Sequence, residues 1–423
     1  MIPPLYEHQK KIIAEDKKKV GLFMGTGSAK TRTALELAEG KVLVICPKQQ
    51  REDRTWQRNA EEFGLKLDLT VISKEDLRSG WQKLDRYDTV IIDEVHCNLG
   101  ISPMPKQKNG KSVLNSSQIF SATLQYLRNH PPKRFYPCSA TPTPKPLAMW
   151  GIAKLFGEEW DFYTFRSRFY KEIRVGINRR IWVDKKDDVT KSDVAKLVQK
   201  FGYTGSLNDF FDVPEQTHRT VHIEPTTEQK KAMAEITYSE ADPLVRRSRL
   251  RTIENGVLYG KKIESTGGKE DILKNKVTIF PSKKIDYILE RAIEFPKLLI
   301  FANYTAQIME IAKALEGYNV SILTGATKDR ANLILDAEKA KEAIVIAQCS
   351  ISSGYELPSF PCVIYASKSW QYVHYEQSLG RVLRSNHLKK NLYIHLVVKG
   401  CDEDCHKAIM SRQDFQEKLT LNI

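Results

Sequence analysis

No apolar run in this chain approaches the roughly 18 residues that would suggest a membrane-spanning helix. The start, MIPPLYEHQKK, has no apolar stretch of the kind that directs secretion. The chain is therefore expected to stay in a reducing compartment, the cytoplasm or, in a eukaryotic host, the nucleus, and not to be secreted. Cysteine is scarce and odd in number, seven residues between Cys46 and Cys405, mostly in apolar or strand-like surroundings. That excludes a disulfide framework and reads as buried thiols. CDEDCH, Cys401 to His406, has no neighbours to complete four ligands, so structural zinc is not expected. Acidic charge is also short, 52 Asp and Glu against 66 Lys and Arg, a formal net charge of +14. Such a surface attracts polyanions, nucleic acid first among them, although many basic proteins bind none. With 423 residues the chain is too long for one ordinary core and suits two or three domains.

What is present begins with a phosphate-binding pattern. Val20 to Met24 reads as a short apolar strand, Gly25, Thr26, Gly27 and Ser28 as a loop, and the residues after Lys30 as a helix. That is the strand, loop and helix context a phosphate loop requires. Its backbone N–H groups and the helix N-terminus would face the phosphates. Lys30 would reach the β- and γ-phosphates of ATP, and the Thr31 hydroxyl would bind Mg2+. The usual glycine before the lysine is Ala29 here, which the loop tolerates if its backbone is right-handed helical and which otherwise crowds it.

TVIIDEVH, Thr89 to His96, supplies the other half of a hydrolytic site. Val90 to Ile92 is an apolar run suited to a parallel strand covered on both faces. Asp93 and Glu94 emerge at its C-terminal end, where open α/β sheets bind ligands. Asp93 would hold magnesium, and Glu94 would orient and activate the attacking water. Ser139, Ala140 and Thr141 follow a further apolar stretch and suit a relay from the ATP site towards nucleic acid.

The second half repeats the alternation of strands and helices: Leu298 to Ala302, Val320 to Leu323, Ala343 to Ala347 and Cys362 to Ala366 as strands, with a helix at Ala306 to Leu315. It carries no second phosphate loop. Arg381 and Arg384, three apart, share one face of a helix and could act on a γ-phosphate as arginine fingers, although a solvated basic helix is the commoner origin of such a pair.

In order along nearly the whole chain, these segments resemble superfamily-two helicase-like ATPases, specifically the Swi/Snf branch of double-stranded DNA translocases. LYEHQKKII resembles the opening motif, with Gln9 in the place of the adenine reader. VLVICPKQQREDRTWQRNAEEF, TVISKEDLR, the DEVH box and SATPTPKPLAMWGIAKLF are similar to the motifs that follow. VPEQTHRTVHIEPTTEQKKAM resembles the crossover into a second lobe. ISSGYELPSFPCVIYASKSWQYVHYEQSLGRVLR resembles the last two motifs, with Gly354, Glu356, Trp370, Gln377, Gly380, Arg381 and Arg384 on family positions.

The resemblance implies an α/β fold of two RecA-like lobes with parallel sheets, residues 1–215 and 216–423, the second with a small helical insertion at about 226–290. It implies that the lobes sandwich ATP, with Gly354 and Glu356 added to the nucleotide site and Gln377 to the catalytic set. It implies sequence-independent contacts to DNA from Ser73, Thr141, Thr324, Gly325, Ser352 and Trp370. The expected cofactors are ATP and Mg2+, and the expected partner is double-stranded DNA, with no membrane. A recruiting protein is left open, and the lack of a heptad pattern leads to the expectation of a monomer. A strand-separating or branch-migrating helicase and a DNA-binding module with impaired ATPase are the competing functions.

Local expectations complete the reading. Thr226 to Glu240 is a helix with Thr227 as its cap, and Ser282 to Glu294 is another. Arg246 to Arg251 is a basic run that serves either as a solvated face or as a phosphate-gripping arm. Ser265 to Lys269 is a flexible break. PMPKQKNGKS is a polar loop, partly disordered until DNA binds, and Glu172 to Asp184 is a hairpin.

Overall fold

The computed structural model describes residues 2–108, 111–175, 179–185, 187–264, 272–351, 355–383 and 388–420. The chain divides into two compact units, Met1–Asp212 with Asp414–Ile423, and Val213–Gln413.

In the first unit a sheet of strands Lys41–Cys46 (β2), Asp68–Ser73 (β3), Thr89–Ile92 (β4) and Arg134–Pro137 (β7) runs in the order β3-β2-β4-β7, every pair parallel. Strand Gly21–Met24 (β1) continues it beyond β7 through isolated bridges Lys19↔Phe135 and Leu22↔Cys138, and pairs on its far side with Gly202–Gly205 (β10). The apolar runs behave as the pleat demands, with neighbouring residues facing opposite ways. Phe23, Leu43, Ile45, Val90 and Ile92 enter one core, against helices that include Gln118–Asn129 and Leu147–Leu155. Leu22, Met24, Val42, Val44 and Ile91 enter the other, with Trp56 and Ala34. A parallel sheet buried on both faces therefore carries continuous apolar sequence rather than alternation.

Two hairpins project from this unit. Lys106–Lys108 (β5) pairs with Lys111–Val113 (β6), so strands flank the middle of the polar segment read as a loop. Tyr170–Val175 (β8) pairs with Arg179–Asp184 (β9), the hairpin read from sequence, and Arg166 stacks on Trp182 beneath it at 3.9 Å.

The second unit is a six-stranded parallel sheet. Its strands are Thr217–His222 (β11), Lys297–Ala302 (β14), Val320–Leu323 (β15), Ala343–Gln348 (β16), Cys362–Tyr365 (β17) and Leu392–Val397 (β18), in the order β11-β18-β17-β14-β16-β15. Leu299, Phe301, Val345, Val363 and Tyr365 face one core; Leu298, Ile300, Ile344, Ile346 and Ile364 face the other. The α/β fold with parallel sheets expected from the sequence is thus present in both units.

The insertion before β14 corrects the expectation of purely helical structure. Helices Thr227–Ser239 and Pro243–Glu254 are followed by an antiparallel pair, Val257–Glu264 (β12) and Ile272–Ile279 (β13). The expected break at 265–269 lies outside the described residues. Thr226, not Thr227, caps the first helix, accepting from Gln229 N, which completes a capping box. The second starts at Pro243 behind Asp242, whose carboxylate accepts from Leu244 N and Val245 N.

The basic run in that second helix is largely taken up inside the unit. Arg247 pairs with Asp404 at 2.7 Å and Arg249 with Glu240 at 3.1 Å. Arg251 is buried and donates to the Lys368 carbonyl. Fewer cations remain here for a phosphate backbone than the sequence alone suggests.

Candidate nucleotide site and its surroundings

In the first unit the loop from Gly25 to Ala29 joins the C-terminal end of β1 to helix α2 (Lys30–Glu36). Gly25 N donates to Gly205 O at 2.7 Å, which anchors the loop to the neighbouring strand. The buried Ser28 hydroxyl donates to Gly25 O at 2.7 Å, and Gly27 sits at φ 80°. Lys30 Nζ lies over the loop carbonyls, 2.8 Å from Met24 O and 2.7 Å from Gly25 O. Thr26, Ala29, Lys30 and Thr31 are half-buried at the rim.

Ala29 takes φ 60° and ψ 33°, the left-handed region, so the condition under which alanine is harmless there is not met. An L-residue in this conformation costs about 1–2 kcal/mol, because Cβ crowds the following carbonyl. Ala29→Gly removes that strain and gives back part of the gain as unfolded-chain entropy. The expected result is about 1 kcal/mol of added stability, or roughly 2–4 °C in the melting of the first unit. An unchanged or lower melting temperature would mean that the loop does not hold the left-handed turn.

Gln9 does not stand at the surface. It is fully buried, and its amide accepts from Tyr6 N at 2.9 Å and donates to Ala29 O at 3.3 Å and Thr33 Oγ1 at 3.2 Å. It braces the loop from helix α1 (Glu7–Glu15). His8 stacks on Phe210 at 4.2 Å, with Nε2 3.1 Å from Ser28 O, and Tyr6 meets Phe211 edge-on.

Asp93 and Glu94 leave the end of β4 as expected. Asp93 N donates to Ile45 O, and its carboxylate accepts from Glu94 N at 2.9 Å. Burial and the neighbouring Glu94 push the Asp93 carboxyl up; Lys74, Gln50 and Lys30 pull it back. Glu94, like Ala29, is a non-glycine residue in the left-handed region, at φ 47°. Strain of this kind persists only where surrounding contacts over-determine it.

One of those contacts had no sequence signal. Lys74 is only 4% exposed and donates to Glu94 O at 2.8 Å. On the side-chain end, Glu94 Oε2 is 3.3 Å from His96 Nδ1, and that nitrogen is 2.8 Å from Ser139 Oγ. Ser139 Oγ in turn accepts from Thr141 N at 3.0 Å. The relay expected at Ser139 to Thr141 therefore has a connected chain of contacts to Glu94.

Two of the expected nucleic-acid contacts are buried. Ser73 is 1% exposed and caps helix Lys74–Gly80, its hydroxyl exchanging hydrogen bonds with Asp76. Thr141 is 2% exposed. Neither offers a hydroxyl at the surface: Ser73 ends β3 under the helix it caps, and Thr141 is buried in the segment after β7. Thr324 is half-buried, Gly325 and Glu356 are exposed, and Trp370 is 44% exposed with Arg247 and Arg251 over its ring. Gln377 is buried. Arg381 is 6% exposed, its guanidinium donating to Gln377 O at 2.8 Å and Tyr355 O at 2.5 Å, so here it anchors its own unit rather than projecting from it. Ser352, Gly354 and Arg384 lie outside the described residues. Among the described residues no His, Cys, Asp or Glu cluster could hold a metal by itself.

The donor set suits ATP with magnesium: loop N–H groups and Lys30 as phosphate partners, and the Thr31 hydroxyl and Asp93 carboxylate as hard oxygen ligands.

Residues 282–386 match the helicase conserved C-terminal domain. The helicase-like resemblance read from the sequence is thereby borne out in the second unit. The SWI2/SNF2 ATPase core of Sulfolobus solfataricus, solved in complex with dsDNA, is similar at 17% identity, covering 99% of this chain and 94% of that chain with a TM-score of 0.40. No curated protein matches this chain.

Proposed function

We propose that this chain is an ATP-driven motor of the Swi/Snf branch of superfamily-two helicase-like ATPases, hydrolysing ATP on binding nucleic acid and moving along double-stranded DNA. The observation that carries it is a combination. A phosphate loop and a paired Asp93–Glu94 end neighbouring parts of one parallel sheet, in a chain whose residues 282–386 match a helicase domain.

In this reading Lys30 and the loop N–H groups hold the phosphates, and Thr31 and Asp93 hold Mg2+, which supplies charge neutralisation. Glu94 orients water and accepts its proton. For the second unit, Gln377, Arg381 and Arg384 serve the hydrolytic step on the strength of the resemblance, and Arg381 has to leave its anchored position to do so. A net charge of +14 and the exposed Trp370 support a polyanionic track, bound without sequence readout. The protein works as a monomer in the cytoplasm or nucleus, with or without a recruiting partner.

The β8–β9 hairpin favours a second reading, strand separation with the hairpin as wedge. Triplex displacement and forked-duplex unwinding separate the two. Displacement of a third strand with the fork left intact is expected. Unwinding of the fork, lost when the hairpin is trimmed, would replace translocation by helicase action.

A further inference from the structure

Lys74 belongs to two structural features at once. It is the first residue of helix Lys74–Gly80, which Ser73 and Asp76 close with a capping box and Arg51 braces through Asp76 at 2.5 Å. Its buried ammonium ends 2.8 Å from the carbonyl of Glu94, two strands away in the β3-β2-β4 order. A lysine 4% exposed is rare, because burying its charge without compensation is costly. Here the compensation is the hydrolytic turn itself, whose left-handed Glu94 needs an external hold.

The next turn of the same helix faces a different environment. Arg78 is exposed and, with Trp81 and Lys106, lines an open polar groove of about 480 Å3 whose described lining residues include no carboxylate. Lys48, from the helix after β2, adds an exposed cation at the neighbouring strand end, beside Glu52 at 3.6 Å. Nucleic acid held by these cations would lie against a helix whose first residue donates to Glu94 O.

We propose that Lys74 is a positioning residue that couples nucleic-acid contact on helix Lys74–Gly80 to the placement of Glu94. The coupling rests on the motor reading above; the hold on the Glu94 turn does not.

The full-length chain with Lys74→Met keeps the length and apolar stem and loses the donor, whereas Lys74→Gln keeps an N–H donor without the charge. DNA-stimulated kcat is expected to fall by about tenfold in Lys74→Met, with the KM for ATP within about twofold of wild type, since a small misplacement of the base costs rate rather than binding. Lys74→Gln is expected to recover most of that loss. Equal losses in both variants, a loss confined to KM, or no loss would overturn the coupling. Amide exchange over residues 94–98 gives a second readout that needs no activity. Faster exchange in Lys74→Met but not in Lys74→Gln supports the hold on the turn, and wild-type protection in both overturns it. If wild-type protein shows no stimulation by any nucleic acid, the motor reading fails and the coupling fails with it, while the exchange still decides the hold on Glu94.

Discussion

Removal of the Asp402 carboxylate is expected to destabilise the second unit by about 3–5 kcal/mol. Asp402 is 4% exposed and accepts from Lys284 Nζ at 2.7 Å, Asn255 Nδ2 at 3.2 Å and Val398 N at 3.2 Å. Lys284 is itself 1% exposed and also donates to Asn255 Oδ1 and Ala366 O. Burial alone would raise the Asp402 carboxyl, but Lys284 and Arg251 more than offset it and hold it below its usual range. A depressed carboxylate stabilises the fold above its unfolded pKa, so the contribution is complete at neutral pH and is lost as pH falls through the folded value. Asp402→Ala leaves the Lys284 charge buried without its main partner. Denaturant melts of the full chain should show the loss, and adding Lys284→Met should recover part of it, the signature of a coupled pair. A cost below about 1 kcal/mol would mean that the network is solvated and incidental. The network joins helix Pro243–Glu254 to the segment after β17, where Arg251 holds the Lys368 carbonyl two residues before Trp370.

Glu94→Gln is expected to lower kcat for ATP by about a hundredfold or more while leaving nucleotide binding nearly intact. The amide is almost isosteric, so the hold of Lys74 on the Glu94 carbonyl and the bond from Glu94 N to Asp93 should survive. What is lost is a proton acceptor at the position next to His96 and Ser139. Single-turnover hydrolysis beside nucleotide-binding titration checks this. A loss of binding equal to the loss of rate would assign Glu94 to holding nucleotide or metal instead. A rate within a few fold of wild type would remove it from the chemistry.

Much of the fold was legible because it rests on long-range regularities. Apolar runs such as Val90 to Ile92 and Leu298 to Ala302 mark doubly covered parallel strands, and the loop before Lys30 needs both its strand and its helix. The roles of single polar side chains were far less legible. Ser73 reads equally well as a phosphate contact or as a helix cap, and only the turn that follows decides. Gln9 and Arg381 carry the residue types of ligand-binding groups, yet packing folds each onto backbone carbonyls of its own unit. Lys74 sits in a polar stretch, SKED, with no mark of burial, because its partner lies twenty residues away. The left-handed turn at Ala29 was beyond sequence for another reason: alanine states no preference for it, and the loop imposes it. The strands β12 and β13 were missed because their lysines mask the alternation that marks a half-buried strand.

The measurement that bears most directly on the motor reading is steady-state ATP hydrolysis with no polymer, duplex DNA, single-stranded DNA or RNA, beside Glu94→Gln. The expected result is strong stimulation by duplex DNA that disappears in Glu94→Gln. Stimulation by single strands or RNA alone would contradict duplex translocation and favour a helicase. Absence of hydrolysis with every polymer would contradict the motor altogether, and would point to a DNA-binding module whose nucleotide loop is impaired at Ala29.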